Sequence, residues 1–396
     1  MKAPQTVYRI LCINAGSSSL KTALFAVNPP EEPKRLARIE ASGIGEDDTL
    51  LAWQIGERRH DRTGPFDNHH DALAAVLGLL HEQKLPNPDA LGHRIVRGPR
   101  GHSAPARLTP ELMRMLEPYR TSAPLHIPSE LDAIEAARKH FPSAEQIACF
   151  DNHFFSTLPA VARRLPLPRA LDETGIERIG YHGLSYEYIL GHLDGARGRT
   201  VIAHLGNGAS LAAIHDGSPI DTTMGYTPAG GLMMGTRSGD LDPGALIAWM
   251  RQKNLGADEL ERLVNLQSGL TGVAGGESSM VKLLEQAAYG NPAEEAIALF
   301  CYIARKYLGA MIAALGGIDT LVFTGGIGEH APAIRERILN GLDDLGLVLD
   351  THANAAGKSA IESPRSRARI RVIPTDEDAV IARHTAALIA QAEQTS

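Results

Sequence analysis

Two stretches of the chain share one pattern: an apolar strand, a small polar turn and a second apolar strand. The first, ILCINAGSSSLKTALF at residues 10–25, predicts a β-hairpin with strands at 6–13 and 20–27. The second, TVIAHLGNGASLAAIHDGSPIDTTMG at 200–225, has Ser-Leu at 210–211 where the first has Ser-Leu at 19–20. One supersecondary unit therefore occurs in each half of the chain, which predicts two domains of related design.

Helical and strand patterns alternate along the rest of the chain. Apolar spacing predicts helices at 69–83 and 129–140, and a strand at 144–150 that runs into Asp151. Later helices are predicted at 244–252, 257–265, 279–288, 292–315 and 378–393, with strands at 320–324 and 370–374. This alternation predicts an α/β fold, and the Pro-rich stretch at 158–171 lies near the expected change of domain.

Composition limits the classes of ligand. The chain has 396 residues, 43% of them apolar, which is enough for two domains with real cores. Its net charge of −7 argues against a general nucleic-acid or anionic-membrane surface, so an anionic ligand needs a local cluster of cations. We expect neither nucleic acid nor a membrane as a partner.

The cysteines and the apolar stretches indicate where in the cell the protein is expected. The three cysteines, Cys12, Cys149 and Cys301, are far apart and match no metal or redox spacing, which predicts reduced thiols in a cytoplasmic protein. The N-terminal sequence lacks the apolar region of a signal peptide. The apolar stretch at 307–328 is broken by two glycines and Asp319, so a buried helix followed by a buried strand is expected there.

Both hairpin turns, NAGSSSLK and HLGNGAS, consist of small and polar residues. Several backbone N–H groups can face one ligand in such a turn, and this arrangement suits phosphate. One copy alone is more typical of an ordinary polar hairpin, whereas two copies in matching halves favour phosphate binding. The chain has no P-loop motif and no nucleophile-elbow motif.

Charged residues mark further candidates. GHRIVRGPRGHSAP places Arg94, Arg97 and Arg100 within seven residues, either as a solvated loop or as a phosphate or carboxylate site. Arg237 lies among small residues in MGTRSGDLDPG. Asp151 follows a predicted strand, where α/β proteins place catalytic groups, although a helix cap is the commoner role of a lone Asp there.

Three other motifs allow more than one interpretation. FDNHHD at 66–71 has metal-binding residue types, but a helix cap is favoured. Acidic residues at 376–378 open a helix, and acids favour that end in any case. VFTGGIGEHAP is a buried strand followed by a glycine-rich turn and a helix, as at the edge of many nucleotide sites.

Taken together, these strings resemble the acetate kinase family over essentially the whole chain. NAGSSSLK, GHRIV, APLH, CFD, YHG, HLGNGAS, MGTRSGDLDP, FTGGIGE and IARHT occur in the family's order. The resemblance implies two α/β domains with a duplicated βββαβαβα core (actin-like ATPase, ribonuclease H-like) and the active site in the interdomain cleft. We expect one domain at 1–151 plus the C-terminal helix, 381–396, and a nucleotide-binding domain carrying the dimer interface at 152–380.

The implied activity is reversible, Mg²⁺-dependent phosphoryl transfer from ATP to acetate, giving acetyl phosphate and ADP. Mn²⁺ is an alternative metal, and the protein is expected to be a homodimer. Propionate or butyrate as the acceptor, or a relaxed choice of phosphoryl donor, stays open. A non-catalytic nucleotide-binding module of the same superfamily is a more distant alternative.

The resemblance also implies residue roles. The catalytic residues would be Arg94, Asp151, His182 and Arg237, and the metal ligands Asn14 and Glu377. The residues around the acyl substrate would be Arg94, Val96, Leu125, His126, Tyr181 and Pro228. The residues around the nucleotide would be Lys21, His204, Leu205, Gly206, Asn207, Gly208, Ser279, Met280, Val281, Gly326, Ile327, Gly328, Glu329 and His330. Arg97 and Arg100 are expected to be rim charges.

The chain departs from the family pattern in several places. Ile127 replaces an Asn, Tyr181 replaces a Phe, and Leu184, Ser185 and Tyr186 replace Thr-Ser-His. In ESSMV, Ser279 replaces an Asp and Val281 replaces an Arg. We therefore expect differences in the nucleoside-base site and in acyl selectivity.

Overall fold

A computed structural model describes residues 7–46, 48–122, 126–195 and 198–395. The chain forms two compact units. The first comprises Met1–His153 and Asp376–Ser396, and the second comprises Phe154–Thr375. The return to the first unit falls at Asp376, earlier than the expected residue 381, because the C-terminal helix contacts strands of the first sheet.

Each unit contains one sheet. In the first unit the strands are β1 (Tyr8–Ala15), β2 (Ser19–Val27), β3 (Lys34–Ser42), β4 (Leu50–Ile55), β5 (Arg58–Thr63), β6 (Ala90–Ile95), β7 (Ala106–Arg107) and β8 (Glu145–Phe150). In the second they are β9 (Arg199–Leu205), β10 (Ala209–His215), β11 (Ser218–Thr222), β12 (Thr320–Thr324) and β13 (Arg369–Val372). The sheet orders are β5-β4-β3-β2-β1-β6-β8-β7 and β11-β10-β9-β12-β13.

The helices are α1 (His69–Glu82), α2 (Pro110–Leu116), α3 (Tyr119–Ser122), α4 (Ile127–His140), α5 (Ala160–Arg163), α6 (Gly183–Gly191), α7 (Pro243–Lys253), α8 (Ala257–Leu266), α9 (Gly269–Ala274), α10 (Met280–Gln286), α11 (Pro292–Leu315), α12 (Gly325–His330), α13 (Pro332–Leu339), α14 (Thr351–Ala355) and α15 (Glu377–Thr395). Helix α1 begins where FDNHHD predicted a cap, because Asn68 Oδ1 accepts the N–H groups of His70 and Asp71.

The two sheets repeat one arrangement. β1 pairs antiparallel with β2 and parallel with β6, and β6 pairs parallel with β8. β9 likewise pairs antiparallel with β10 and parallel with β12, and β12 pairs parallel with β13. The predicted α/β class and the internal repeat are confirmed by this shared topology.

Helix α15 lies very close to the first sheet at Gly92. A Cβ atom at Gly92 would lie 2.4 Å from Thr385 Oγ1 and 2.5 Å from Ile381 Cγ2. The absence of a side chain on β6 therefore lets the helix approach the strand. The docked helix holds its first residue, Glu377, beside Arg94.

The long apolar helix α11 belongs to the core of the second unit. Among the described residues it is the one helix long and apolar enough to cross a membrane, and 44% of its most apolar window is buried. It contacts β9, β10 and β11. Asn291 caps its first turn and Gly316 ends it at φ 69°, so local signals set both ends. We interpret α11 as a core helix.

Candidate active site

One group of predicted site residues lies where the parallel strands of the first sheet end. Asn14 is near the end of β1, Arg94 is near the end of β6, and Asp151 directly follows β8. Arg94 donates from Nε and Nη2 to the two carboxylate oxygens of Asp151, at 3.2 and 2.5 Å. Its Nη1 donates to Asn14 Oδ1 at 3.2 Å. Ligand sites of α/β folds commonly form at this edge.

The pair of Arg94 and Asp151 is shielded from water. The Asp151 side chain is 1% exposed and that of Arg94 is 19% exposed. Burial by itself lowers the pKa of Arg94, but the Asp151 and Glu377 carboxylates outweigh it and raise that pKa above its ordinary value. A guanidinium held by two parallel hydrogen bonds keeps its orientation before any ligand binds.

Glu377 brings a second carboxylate to Arg94. Its Oε2 lies 3.6 Å from Arg94 Nε. The neighbouring Asp376 has a different task, because its Oδ1 accepts from Arg35 Nη2 at 2.5 Å and from Ala379 N–H at 3.2 Å. Of these two acids, only Glu377 contacts the arginine of the site.

Asn14 and Glu377 offer oxygen ligands of the type that Mg²⁺ prefers. Arg94 touches both side chains, so the amide oxygen and the carboxylate lie at one end of the sheet. Mg²⁺ in kinases usually binds one or two carboxylates together with phosphate oxygens of the substrate. Over the described ranges, no three His, Cys, Asp or Glu side chains are grouped to hold a metal. The donors present fit a metal shared with a phosphate ligand.

Glu130 was not predicted as a site residue from the sequence. It lies on α4, is 3% exposed, and both of its carboxylate oxygens accept from Val96 N–H at 3.2 Å. Burial raises the pKa of Glu130 to about 8, against the opposing effects of the Arg94 charge and the Val96 hydrogen bond. The sequence could have indicated Glu130 as a candidate, because it is a carboxylate on the apolar stripe of α4, between the buried Ile127 and Ile134.

The other two arginines of the cluster differ from each other. Arg97 is only 9% exposed, and its guanidinium carbon lies 4.9 Å from the centre of the Tyr119 ring. The expectation of a rim charge is therefore wrong for Arg97, because stacking on the ring removes it from solvent. Arg100 is exposed.

Two of the remaining acyl-site candidates of the first unit, Val96 and His126, are described by the structure. Val96 is buried, and Leu125 lies outside the described residues. His126 directly precedes α4, and its carbonyl oxygen accepts from Ser129 Oγ at 2.8 Å. Ile127, where the family has Asn, is fully buried in the first turn of α4. Its side chain therefore adds apolar packing in place of an amide.

Lys21 lies opposite Asn14 on neighbouring strands. Directly paired residues point to the same face of a sheet, so both side chains lie on one side of the hairpin. Lys21 Nζ is 3.6 Å from Glu40 Oε1, and the lysine side chain is 44% exposed. His69 Nε2 lies 2.7 Å from Gly16 O and holds the turn in place.

A second group surrounds the hairpin turn of the second unit. His204 and Ser210 are cross-strand partners on β9 and β10. His182 precedes α6 with φ 60°, and its ring stacks on that of His204 with centroids 4.3 Å apart. A non-glycine residue in this left-handed conformation carries strain, which is common at functional sites. His182 Nδ1 lies 2.9 Å from Ser210 Oγ, and His204 Nδ1 lies 2.8 Å from Ser185 Oγ.

Two glycines bring Arg237 against this turn. A Cβ atom at Gly208 would lie 3.2 Å from His182 Nε2 and 3.8 Å from Arg237 Nη1. Gly235 N–H donates to Asn207 O at 3.0 Å, and a Cβ atom at Gly235 would lie 2.0 Å from Asn207 Oδ1. The imidazole and the guanidinium therefore flank a turn that has no side chain to block a ligand.

The loop that carries Arg237 is anchored through Asp240. Asp240 Oδ1 accepts from Gly231 N–H at 2.7 Å, and the Tyr307 hydroxyl donates to Asp240 Oδ2. Burial, together with the Asp240 carboxylate, raises the pKa of Tyr307 above its ordinary value, so the hydroxyl keeps its proton. Arg237 Nη1 also donates to Pro228 O at 3.4 Å.

Tyr181 stands where the family has Phe. The residue is 3% exposed, and its hydroxyl donates to Tyr226 O at 2.7 Å. The additional oxygen is therefore satisfied by the backbone.

The five residues predicted at 326–330 lie on α12. A Cβ atom at Gly325, whose φ is 76°, would lie 2.8 Å from Leu205 O, so α12 begins against the HLGNG turn. Arg335 is 1% exposed, and its Nη1 donates to Gly328 O at 2.8 Å and Glu329 O at 2.9 Å. The Glu329 carboxylate accepts from Gly325 N–H at 2.9 Å and so holds its own helix.

Ser279, Met280 and Val281 lie at the start of α10. Ser279 N–H donates to Glu277 Oε1 at 2.7 Å, and Met280 is 5% exposed. Val281 is 66% exposed. The Asp and Arg of the family pattern are therefore replaced by a hydroxyl and an apolar side chain.

Comparison with known proteins points to one family. The model of the Acetokinase family matches residues 9–383. An acetate kinase of Rhodopseudomonas palustris is 44% identical over 391 residues, which cover 95% of this chain and 97% of that protein. An acetate kinase of Methylocella silvestris is 41% identical over 407 residues, covering 96% and 98%.

Solved structures agree with the sequence matches. The acetate kinase of Porphyromonas gingivalis matches with a TM-score of 0.85 and 34% identity, covering 96% of this chain and 100% of that one. A propionate kinase of Francisella tularensis subsp. tularensis SCHU S4 matches with a TM-score of 0.89 and 32% identity, covering 95% and 98%.

Proposed function

The chain belongs to the acetokinase family, and on that premise we propose that it transfers a phosphoryl group reversibly from ATP to acetate, giving acetyl phosphate and ADP. The observation that carries the proposal is Arg94, fixed by Asp151 and Asn14 at the carboxyl end of the first sheet. A module that only binds a nucleotide has no need of a buried, pre-oriented carboxylate receptor.

Arg94 would bind the carboxylate of the acceptor. Acetate is already ionised at neutral pH, as carboxylic acids with a pKa of roughly 4 to 5 are, so its attack needs no general base. One acetate oxygen forms a bond to the γ-phosphorus while the bond between that phosphorus and the departing ADP oxygen breaks. Asp151, which is 1% exposed and bound to Arg94 through both oxygens, acts by orienting the guanidinium.

The second unit would hold the phosphates of the nucleotide. Charge spreads over the equatorial oxygens of the transferring phosphoryl group, so fixed donors supply most of the catalysis. Arg237 and His182 flank Gly208 and would supply such donors. Helix α12, which begins against the same turn, would line the adenosine.

We assign Mg²⁺ to Asn14 and Glu377, with Mn²⁺ as an alternative because both metals favour oxygen ligands. When bound, the metal neutralises negative charge on the phosphate oxygens. Glu377→Gln should lower the affinity for Mg²⁺, measured as the metal concentration that gives half-maximal rate. Glu285→Gln on α10 serves as a control for the loss of one carboxylate.

The test of the function is to trap the acyl phosphate as its hydroxamate. With ATP and Mg²⁺ we expect acetyl hydroxamate from acetate, and ATP formation when acetyl phosphate and ADP are supplied. Propionate is the second candidate acceptor, favoured by the structural match to a propionate kinase, and butyrate completes the panel. If ATP binds but no hydroxamate forms from any of the three, the protein is a binding module.

A homodimer is part of the proposal. Helix α7 of the second unit has no buried residue, and Ile247 and Trp249 are 48% and 39% exposed. An exposed apolar helix indicates a covered surface, and a second copy of the chain is the commonest partner. Trp249→Glu should yield monomers in sedimentation equilibrium. Val161→Glu, at a valine on α5 that is 89% exposed, should leave the dimer intact.

The cytoplasm is the proposed location. Cys12, Cys149 and Cys301 are buried thiols, as expected in a reducing compartment. Cell fractionation tests this, and recovery of the protein from the membrane or secreted fraction would contradict it.

A further inference from the structure

A buried pair of hydroxyl groups ends on the ring of His182. The Tyr186 hydroxyl is hydrogen-bonded to Ser210 Oγ, and Ser210 Oγ lies 2.9 Å from His182 Nδ1. Tyr186 and Ser210 are both 0% exposed, so water does not compete for these hydrogen bonds. Neither residue is among the catalytic or binding residues assigned above.

We propose that Tyr186 and Ser210 are positioning residues that fix the tautomer of His182, so that an Nε2–H donor faces the transferring phosphoryl group. The proposal rests on the function proposed above, because it takes His182 as a group that contacts the phosphoryl oxygens.

The direction of the hydrogen bonds follows from the chemistry of each group. A phenol gives up its proton more readily than a seryl hydroxyl, so Tyr186 donates to Ser210 Oγ. Ser210 then uses its single proton as a donor to His182 Nδ1. A neutral imidazole that accepts at Nδ1 carries its proton on Nε2.

The far edge of the ring lies where such a donor is useful. A Cβ atom at Gly208 would be 3.2 Å from His182 Nε2 and 3.8 Å from Arg237 Nη1, so these two nitrogens flank the same turn. An N–H on Nε2 adds to the guanidinium donors around a phosphate oxygen. An unprotonated Nε2 would instead present a lone pair to that oxygen and repel it.

A second serine, Ser185, holds the neighbouring His204 ring in a matching orientation. His204 stacks on His182 with an angle of 22° between the rings, and its Nδ1 lies 2.8 Å from Ser185 Oγ. Both imidazoles therefore have Nδ1 tied to a serine. Since Ser210 is the cross-strand partner of His204, the hairpin itself sets the spacing of the two pairs.

The tautomer can be measured directly with selectively ¹⁵N-labelled histidine, the His182 signals being assigned by their loss in His182→Gln. In the native protein we expect a protonated Nε2 and an unprotonated Nδ1. In Tyr186→Phe the serine is free to rotate, and in Ser210→Ala the partner is gone. Both variants should therefore show a mixture of tautomers.

The same variants should lower kcat with little change in the KM for acetate. The expected loss is about tenfold, as for one orienting hydrogen bond of ~1.4 kcal/mol. Tyr188→Phe is the matched control, because Tyr188 lies on the same helix but its ring stacks on His192. It should leave both the ¹⁵N shifts of His182 and kcat at their native values.

A protonated Nδ1 in the native protein would overturn the proposal, and so would unchanged His182 shifts in both Tyr186→Phe and Ser210→Ala. Circular dichroism confirms that each variant is folded before its spectrum is compared. The failure of the proposed function looks different, since it appears as the absence of acyl hydroxamate in the native protein whatever the ¹⁵N shifts are.

Discussion

Both carboxylate oxygens of Glu130 accept the N–H of Val96, at 3.2 Å each. Glu130 is nearly inaccessible to water, and Val96 lies two residues beyond Arg94 on the chain. Helix α4 is thus fastened to the segment that follows Arg94 by a carboxyl group whose charge is costly to bury.

This carboxyl group should make stability depend on pH. Burial raises the pKa of Glu130 from 4.5 to about 8, so the stability it contributes is fully present below pH 4.5 and is lost as the pH rises through about 8. Glu130→Gln has no such loss. Relative to the native protein, its free energy of unfolding in urea should therefore rise between pH 5.5 and 8.5, by up to about 1.4 kcal/mol per pH unit.

Glu135→Gln is the control for that series, because Glu135 lies on the same helix but is exposed. Its stability should run parallel to that of the native protein. A parallel course for Glu130→Gln as well would mean that Glu130 is ionised across this range.

Alanine variants of Arg94, Arg97 and Arg100 should differ in kcat/KM and in stability. Arg94→Ala should lower kcat/KM for acetate by on the order of 10²-fold or more, because a preorganised charge donor is lost. Arg100→Ala, at an exposed position, should have little effect. Arg97→Ala should mainly lower the stability, by about 1 kcal/mol, because it removes a cation packed on Tyr119. Equal losses of kcat/KM at Arg94 and Arg100 would show that Arg94 is the wrong arginine.

Gly235 should tolerate no side chain. A Cβ atom there would lie 2.0 Å from Asn207 Oδ1, so Gly235→Ala must displace the amide at the centre of the HLGNG turn. We expect the KM for ATP to rise about tenfold, the cost of one misplaced hydrogen-bonding group of ~1.4 kcal/mol. Gly225→Ala is the control, since nothing lies within 4 Å of the Cβ position there. Similar KM values in both variants would contradict a close fit of loop and turn.

The choice of phosphoryl donor should be relaxed. A carboxylate that accepts a hydrogen bond from the nucleoside contributes roughly 1.5–3 kcal/mol, and Ser279 offers only a short, uncharged hydroxyl. Val281, which is 66% exposed, lacks the planar group of an arginine. We expect kcat/KM for GTP or ITP within about tenfold of that for ATP. A strict preference for ATP that Ser279→Asp leaves unchanged would show that other residues recognise adenine.

Strong local signals made parts of the fold predictable. Helix α11 and strand β12 have the bounds that the sequence predicted, because Asn291, Pro292 and Gly316 mark the ends of the helix. Strand β5, RRHDRT, was not predicted from its pattern, since every residue in it is exposed and no apolar alternation exists.

Candidate site residues could be predicted where they lie in family motifs, whereas contacts between distant positions could not. Tyr307 is 67 positions from Asp240, and the sequence gives no sign that they meet. Arg97 was misjudged for the same reason, because its burial depends on Tyr119 of another element. Short-range patterns do not record such contacts.

The close approach of α15 to Gly92 affects the order in which the protein can be completed during synthesis. The first unit needs a helix that is translated after the whole of the second unit. The contiguous second unit can therefore fold on the ribosome while β6 still presents an uncovered face around Gly92. Because Glu377 arrives with that helix, the proposed metal site is assembled last, and an unfinished chain holds the proposed nucleotide-binding turn before it holds both proposed metal ligands.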